Sequence, residues 1–260
     1  MKEHRLRRLF NRDGKIVIVA FDHGAFMGNV KGLESPGKLI DRIVDTGVDS
    51  VLTTIGIARK FCGKFGRLGL ILRVDGGSTI RSPRKGEISL AYSVEDALRL
   101  GADAVACMGM IGFDEEPSSL RNLAALSSQS AEWNMPLLAE MLVHKESGET
   151  PTVEDVEFAV RVGVELGADF IKAPFVGSAE EYKKPIEACY RPVVVLGGAK
   201  EDDEKTLLEN VAQAMNAGAK GVAIGRNIWQ HTAPEQVCKA LVAIVHKGAN
   251  VSQALQEIKD

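Results

Sequence analysis

Eight short apolar runs punctuate the chain: KIVIVAFD, VDSVLTT, LGLILRVD, ADAVACMGM, MPLLAEML, ADFIKAP, RPVVVLGG and KGVAIG. Most are continuously apolar rather than alternating, the pattern of strands covered on both faces. Four are entered the same way, through TGVDSV, LGADAV, LGADFI and AGAKGV, each a helix stop running straight into a strand. These entries precede predicted strands two, four, six and eight, a spacing of two βα units. Proline introduces strands five and seven instead, in NMPLLAE and YRPVVVL. Amphipathic segments fill most of the gaps. Ser35 and Pro36 read as an N-cap and first-turn proline ahead of Leu39, Ile40, Ile43 and Val44, with Gly47 as the stop. Thr152 with Asp155 reads as a capping box, and Gly167 closes the helix that follows. Eight strands interleaved with helices predict an α/β chain folded as one (β/α)8 barrel domain over residues 1–260, in preference to a doubly wound open sheet. A short amphipathic lead-in helix is expected at about residues 3–11.

Composition sets outer bounds. The 260 residues are 45% hydrophobic and 26% charged, enough to bury one large core. A net charge of -3 without a basic stripe argues against a nucleic-acid partner. No apolar run approaches the ~20 residues that a membrane span needs, so no membrane partner is expected. The start, MKEHRLRRLF, is basic but lacks the apolar stretch of a secretory signal. Cys62, Cys107, Cys189 and Cys238 are widely spaced and suit reduced thiols in a cytoplasmic protein.

In barrels of this kind the chemistry sits at the C-terminal ends of the strands. In ADFIKAP, Phe170 and Lys172 share one strand face, Ile171 and Ala173 the other. With Phe170 filling an interior layer, Lys172 points inward at the mouth. Desolvation there favours the neutral amine, which attacks carbonyls to form a Schiff base. A structural, ion-paired lysine is the alternative reading. Strand one ends in Asp22 and His23, with Asp22 in the inward file of Ile18 and Ala20. On strand three Arg73 and Asp75 share a face, ahead of Gly76 and Gly77. On strand five Glu140, Leu142 and His144 share a parity, and a carboxylate there can shuttle protons. Each of these also reads as a loop anchor or ion-pair partner. Strands seven and eight end in Gly197–Gly198 and Gly225–Arg226, whose backbone N–H groups and guanidinium suit a phosphate. Asp22, His23, Asp75 and Glu140 can be drawn around a divalent ion, but their spacing is not that of a metal site, and none is expected.

At this level the sequence resembles a known family. VIVAFDHG, GADFIKAPFVG, VVVLGGAKEDDEKTLLENV and GAKGVAIGRNIWQ are similar to the archaeal-type class I fructose-bisphosphate aldolases. That group also holds the 2-amino-3,7-dideoxy-D-threo-hept-6-ulosonate synthases and the autoinducer-2 thiolases, within the DeoC/class I aldolase superfamily. The resemblance runs from about residue 15 to about residue 255, and the Gly-Gly-x-Lys to GRNIWQ ending is its most specific part. It implies that Lys172 forms the Schiff base and that Asp22 assists at the substrate carbonyl or hydroxyl. It further implies that Gly197, Gly198, Gly225 and Arg226 hold a sugar phosphate, in a homo-oligomer without metal or cofactor. Two departures stand out. The tyrosine general acid of the archaeal aldolases is matched by Leu142, and strand four ends in ACMGMIG where the family often has histidine and asparagine. The second lysine of deoxyribose-phosphate aldolases, just ahead of a Gly-Gly, is replaced by Val195 and Leu196.

The expected activity is a metal-independent class I aldolase acting on a phosphorylated ketose. Lys172 is the nucleophile, and Glu140, then His144 or Asp22, moves the protons. His23, Arg73 and Asp75 contact substrate beside the phosphate loops. Thiolase-type transfer to coenzyme A on a phosphorylated diketone, or a transaldol synthase of the heptulosonate type, is the alternative. A non-catalytic sugar-phosphate-binding barrel is the reading from another class. Substrate length, stereochemistry and far-end group are open at this level, as is oligomer size.

Overall fold

The computed structural model describes residues 1–82, 87–145, 148–198, 200–201 and 203–259. Ala199 and Asp202, in the segment after Gly198, lie outside the described residues. Eight parallel strands close in sequence order: β1 (Ile16–Ala20), β2 (Ser50–Thr53), β3 (Gly69–Arg73), β4 (Ala104–Ile111), β5 (Leu137–Val143), β6 (Phe170–Pro174), β7 (Val193–Leu196) and β8 (Gly221–Ile224). β8 pairs back onto β1, with Val222 opposite Val17. Helices lie between successive strands, so the chain forms a (β/α)8 barrel.

The strands are apolar throughout because both faces are covered. Ile18, Leu52, Ile71, Ala106, Leu138, Phe170, Val194 and Ala223 fill the interior. Their neighbours, such as Val17, Val51, Leu72, Ile171 and Val195, pack outward with the helices. Helix Lys2–Leu9 brings Leu6, Leu9 and Phe10 to the interior layer at the N-terminal end. It ends at Phe10, whose backbone turns extended and whose ring meets Phe170 edge-on at 5.5 Å. The lead-in helix is therefore a plug as well as an entry.

The sequence repeat acquires a physical reason here. Asp49, Asp103 and Asp169 each stand just before an even-numbered strand and accept a backbone N–H from the strand before it. Val17 donates to Asp49 at 2.7 Å, Leu70 to Asp103 at 3.0 Å and Leu137 to Asp169 at 2.9 Å. A buried N–H left without an acceptor is costly, so the aspartates clip strand pairs together. At the fourth entry Lys220 uses its backbone instead, donating to Val193 at 2.7 Å and accepting from Ile16 at 2.9 Å.

Helix ends follow the local signals with one exception. Thr152 and Asp155 form a reciprocal capping box at the start of Val153–Glu165, and Gly167 stands just past its end with φ 94°. Ser35 holds the N-cap position of Pro36–Ile43 but makes no side-chain capping bond, so Pro36 carries that start. No helix among the described residues is long and apolar enough to cross a membrane.

Candidate active site

Register decides which side chains meet at the mouth. Met108 on β4 pairs with Glu140 on β5, and Glu140 pairs with Lys172 on β6. Alternation keeps all three in the inward file, and Glu140 and Lys172 are both buried. Lys172 Nζ lies 2.6 Å from Glu140 Oε1. The lysine is thus paired, where its apolar sequence neighbours alone suggested an isolated amine.

Arg73, at the end of β3, lies beneath this pair and is itself buried. Its Nε donates to Asp22 Oδ2 at 2.9 Å, its Nη1 to Asp75 Oδ1 at 3.3 Å and its Nη2 to Glu140 Oε2. Each edge of the guanidinium fork faces a carboxylate. Arg73 is therefore a keystone of the site, bound on each edge by one of the chain's own carboxylates. Asp22, Asp75 and Glu140 thus converge on this guanidinium. Among the described residues no cluster of three His, Cys, Asp or Glu groups is arranged to hold a metal ion.

The electrostatics follow from that cluster. Burial opposes the charge of Glu140, but the Lys172 ammonium and then Arg73 outweigh it and hold the carboxyl below its ordinary range. Asp22 behaves alike: burial is overridden by Arg73, neighbouring His23 and Lys172, and its pKa is strongly lowered. For Asp75 burial wins over Arg73 and the Met108 N–H, and its pKa is raised. Burial alone would lower Arg73, but Glu140, Asp75 and Asp22 push it well above the ordinary guanidinium value. Two of the three carboxylates are thus held ionised against burial, and they are the two that face Lys172.

Across the pocket, Arg226 Nη2 donates to the Gly198 carbonyl at 2.6 Å, tying the β7 and β8 loops together. Asn227 adds a second tie, donating to Gly197 O at 2.9 Å and accepting from the Glu201 N–H at 2.7 Å. Gly198 has φ 63°, a left-handed conformation that disfavours other residues. At Gly225 a Cβ would lie 2.7 Å from Ala20 O and 3.2 Å from the His23 ring, so only glycine fits. His23 stands between the Trp229 and Phe26 rings at 5.3 and 5.5 Å. Its Nδ1 makes a long 3.5 Å contact with Asp22 Oδ1 rather than a directed hydrogen bond.

Asp22, His23, Arg73, Glu140, Lys172, Gly197, Gly198, Gly225 and Arg226 all line one pocket of about 190 Å³. Asp75 stands behind Arg73, outside that lining. His144 does not join them. β5 ends at Val143, alternation ends with it, and the exposed His144 ring packs at 5.0 Å against Phe113. Its expected catalytic position is corrected on that ground. Sequence reasoning missed Phe26 and Met108, which also line the pocket, and Asn227, which braces it. The GRNIW string singled out Arg226, and Asn227 is its neighbour in the same string.

A buried strand-borne lysine paired with a carboxylate thus stands at the C-terminal mouth of a (β/α)8 barrel. The pattern of the DeoC/LacD family aldolase matches residues 16–231, and the chain belongs to that family. It is 36% identical to the 3-hydroxy-5-phosphonooxypentane-2,4-dione thiolase of Klebsiella pneumoniae, covering 98% of this chain and 84% of that one. It is 33% identical to the 2-amino-3,7-dideoxy-D-threo-hept-6-ulosonate synthase of Halobacterium salinarum, covering 98% and 95%. An archaeal fructose-1,6-bisphosphate aldolase with its catalytic lysine covalently bound to the carbinolamine intermediate superposes with a TM-score of 0.83. That match has 29% identity and covers 94% of this chain and 99% of the other. The protein is accordingly an aldolase-type lyase, which sets aside the non-catalytic reading.

Proposed function

We propose that the protein is a class I, Schiff-base aldolase acting on a phosphorylated ketose, with Lys172 as nucleophile and Glu140 as the proton-transfer group. The observation that carries this reading is the 2.6 Å Lys172–Glu140 pair, buried at the barrel mouth opposite the Gly198–Arg226 loops. Support comes from the archaeal aldolase whose lysine is caught bound to substrate.

Glu140 takes a proton from Lys172, and the free amine attacks the C2 carbonyl. The carbinolamine hydroxyl leaves as water with the proton returned by Glu140, giving an iminium. The Glu140 carboxylate then removes the C4 hydroxyl proton, the C3–C4 bond breaks, and its electrons pass to the iminium to form an enamine. The aldehyde leaves, C3 is reprotonated, and water releases the three-carbon ketone phosphate. Asp22, ionised and 2.9 Å from Arg73, stabilises the cationic iminium and orients hydroxyls. The backbone N–H groups of the Gly197–Gly198 and Gly225 loops and Arg226 fix the phosphate, so that C2 meets Lys172.

Borohydride reduction in the presence of dihydroxyacetone phosphate tests this. A mass increase located on the Lys172 peptide is expected, and unlabelled protein with EDTA-sensitive activity sinks the reading. The 36% identity to a thiolase favours one second reading, acyl transfer to coenzyme A from a phosphorylated diketone. Coenzyme A-dependent product formation would establish it.

A further inference from the structure

A titratable ring lines the Lys172 pocket on the side away from Glu140. β1 and β5 are four strands apart in the closed ring of eight. His23, just past β1, and Glu140, on β5, therefore line the pocket from opposite sides of the mouth. We propose that His23 is a second proton-transfer residue, moving the proton on and off C3 of the donor while Glu140 serves the C4 hydroxyl. The inference rests on the aldolase reading and adds a catalytic residue to it.

The ring is held in place by its surroundings. It packs edge-on against Trp229 at 5.3 Å and tilted against Phe26 at 5.5 Å. Trp229 is itself tied to β1, its Nε1 donating to Ala20 O at 3.0 Å. The Gly225 backbone closes on the ring, so that a Cβ there would lie 3.2 Å from His23 Cε1. The imidazole thus stands at the edge of the Gly225–Arg226 loop, the proposed phosphate anchor.

Its two nitrogens differ. Nδ1 is buried, 3.5 Å from Asp22 Oδ1, without a directed hydrogen bond. Asp22 is anchored by Arg73 Nε at 2.9 Å, which keeps its carboxylate beside the ring. A carboxylate there favours the proton on Nδ1 and leaves the lone pair on Nε2. Among the described residues Nε2 has no hydrogen-bond partner, and unlike Nδ1 it is not shut off from solvent. The side chain keeps 19% of its surface and lines the pocket. Glu140 is placed differently, with Oε1 on Lys172 and Oε2 on Arg73.

Cleavage moves protons at two atoms: one leaves the C4 oxygen, and one arrives at C3. In that direction protonated His23 gives the Nε2 proton to C3 of the enamine. The C2=C3 electron pair forms the new C–H bond, and the nitrogen lone pair restores the iminium that water hydrolyses. In the synthetic direction neutral Nε2 removes that proton from the iminium, and the C–H electrons form the enamine. Water returns His23 and Glu140 to their starting protonation states. In a pocket of about 190 Å³, a three-carbon donor joined to Lys172 and held at Gly225–Arg226 lies within reach of His23.

The test separates the C3 proton from the imine. Dihydroxyacetone phosphate is incubated with the protein in deuterium oxide, and proton NMR follows loss of the C3 signal. His23→Gln should lower the maximal exchange rate about 10²-fold or more, while borohydride still fixes the donor on Lys172. An unchanged maximal rate with a raised KM would make His23 a phosphate contact and overturns the assignment. Loss of the adduct in folded H23Q would place the ring in imine formation and overturns it too. His23→Phe, which keeps the packing between Trp229 and Phe26, asks the same question if H23Q does not fold. Wild-type protein that forms the adduct without C3 exchange sinks only this inference. No adduct on wild-type Lys172 sinks the aldolase reading and this inference with it.

Discussion

The two ends of the barrel use the same residue types for different ends. At the N-terminal end Asp49, Asp103 and Asp169 each accept one backbone N–H and meet one cation: His246 at 2.9 Å, Arg8 at 3.0 Å and Lys2 at 2.9 Å. Arg8 is 62% and Lys2 27% exposed, so Asp103 and Asp169 are local clips with partly solvated partners, while His246 beside Asp49 is largely covered. At the C-terminal end Asp22, Asp75 and Glu140 share one buried Arg73, and Glu140 shares Lys172 as well. There the charges depend on one another, and removing one member changes the protonation of the rest. Separate clips give stability. A shared, desolvated network gives chemistry at the cost of fragility.

That contrast can be broken or sharpened by substitution. The largest effect is expected from Lys172→Ala, which should abolish turnover and borohydride labelling together; residual labelling elsewhere would move the nucleophile off β6. Next is Glu140→Gln, for which steady-state assays should show kcat reduced about 10²–10⁴-fold, with imine formation still detectable by trapping. Full activity in that variant would pass the proton to Asp22. Arg73→Met removes the one cation that Asp22, Asp75 and Glu140 share and should cost roughly 3–5 kcal/mol in urea unfolding. A small cost there would mean that the mouth is as modular as the floor.

At the floor the effects should be smaller and silent in kcat. Asp103→Ala leaves the Leu70 N–H without its acceptor and should cost about 1–3 kcal/mol by urea unfolding, with kcat unchanged. The smallest effect is one of pH. Burial would lower the pKa of His246, but its bonds to Asp49 and Asp13 raise it above 6.5. Asp13 is lowered from 3.8, with burial outweighed by His246 and the Lys15 N–H. A raised histidine contributes stability that is fully present below 6.5 and lost as pH climbs through its folded value. The lowered aspartate contributes above 3.8 and is lost as pH falls through its own folded value. The stability gap between wild type and His246→Gln, measured by denaturation across pH, should therefore be widest between 3.8 and 6.5 and shrink above. A gap that widens with pH would remove His246 from the floor network.

Much of this was legible in the chain. The eight apolar runs, the Gly-x-Asp entries and the Phe170–Lys172 file are local patterns, and β6 carries Phe170 and Lys172 inward as alternation requires. The same rule misplaced His144, because parity holds only while the strand lasts and β5 stops at Val143. For Arg73, which lines the pocket, nothing near it in sequence shows that Asp22 and Glu140 converge on it from 51 and 67 residues away.

Periodicity within a strand is set by backbone geometry and needs no partner, so the strand count, the barrel and an inward Lys172 came from the sequence by itself. What neutralises, pairs or leaves open the space around Lys172 was decided only by barrel closure. Register across β3, β4, β5 and β6 put Glu140 against the lysine and locked Arg73 beneath it. Charge interactions act through space, and distance along the chain says nothing of them until the strands are closed.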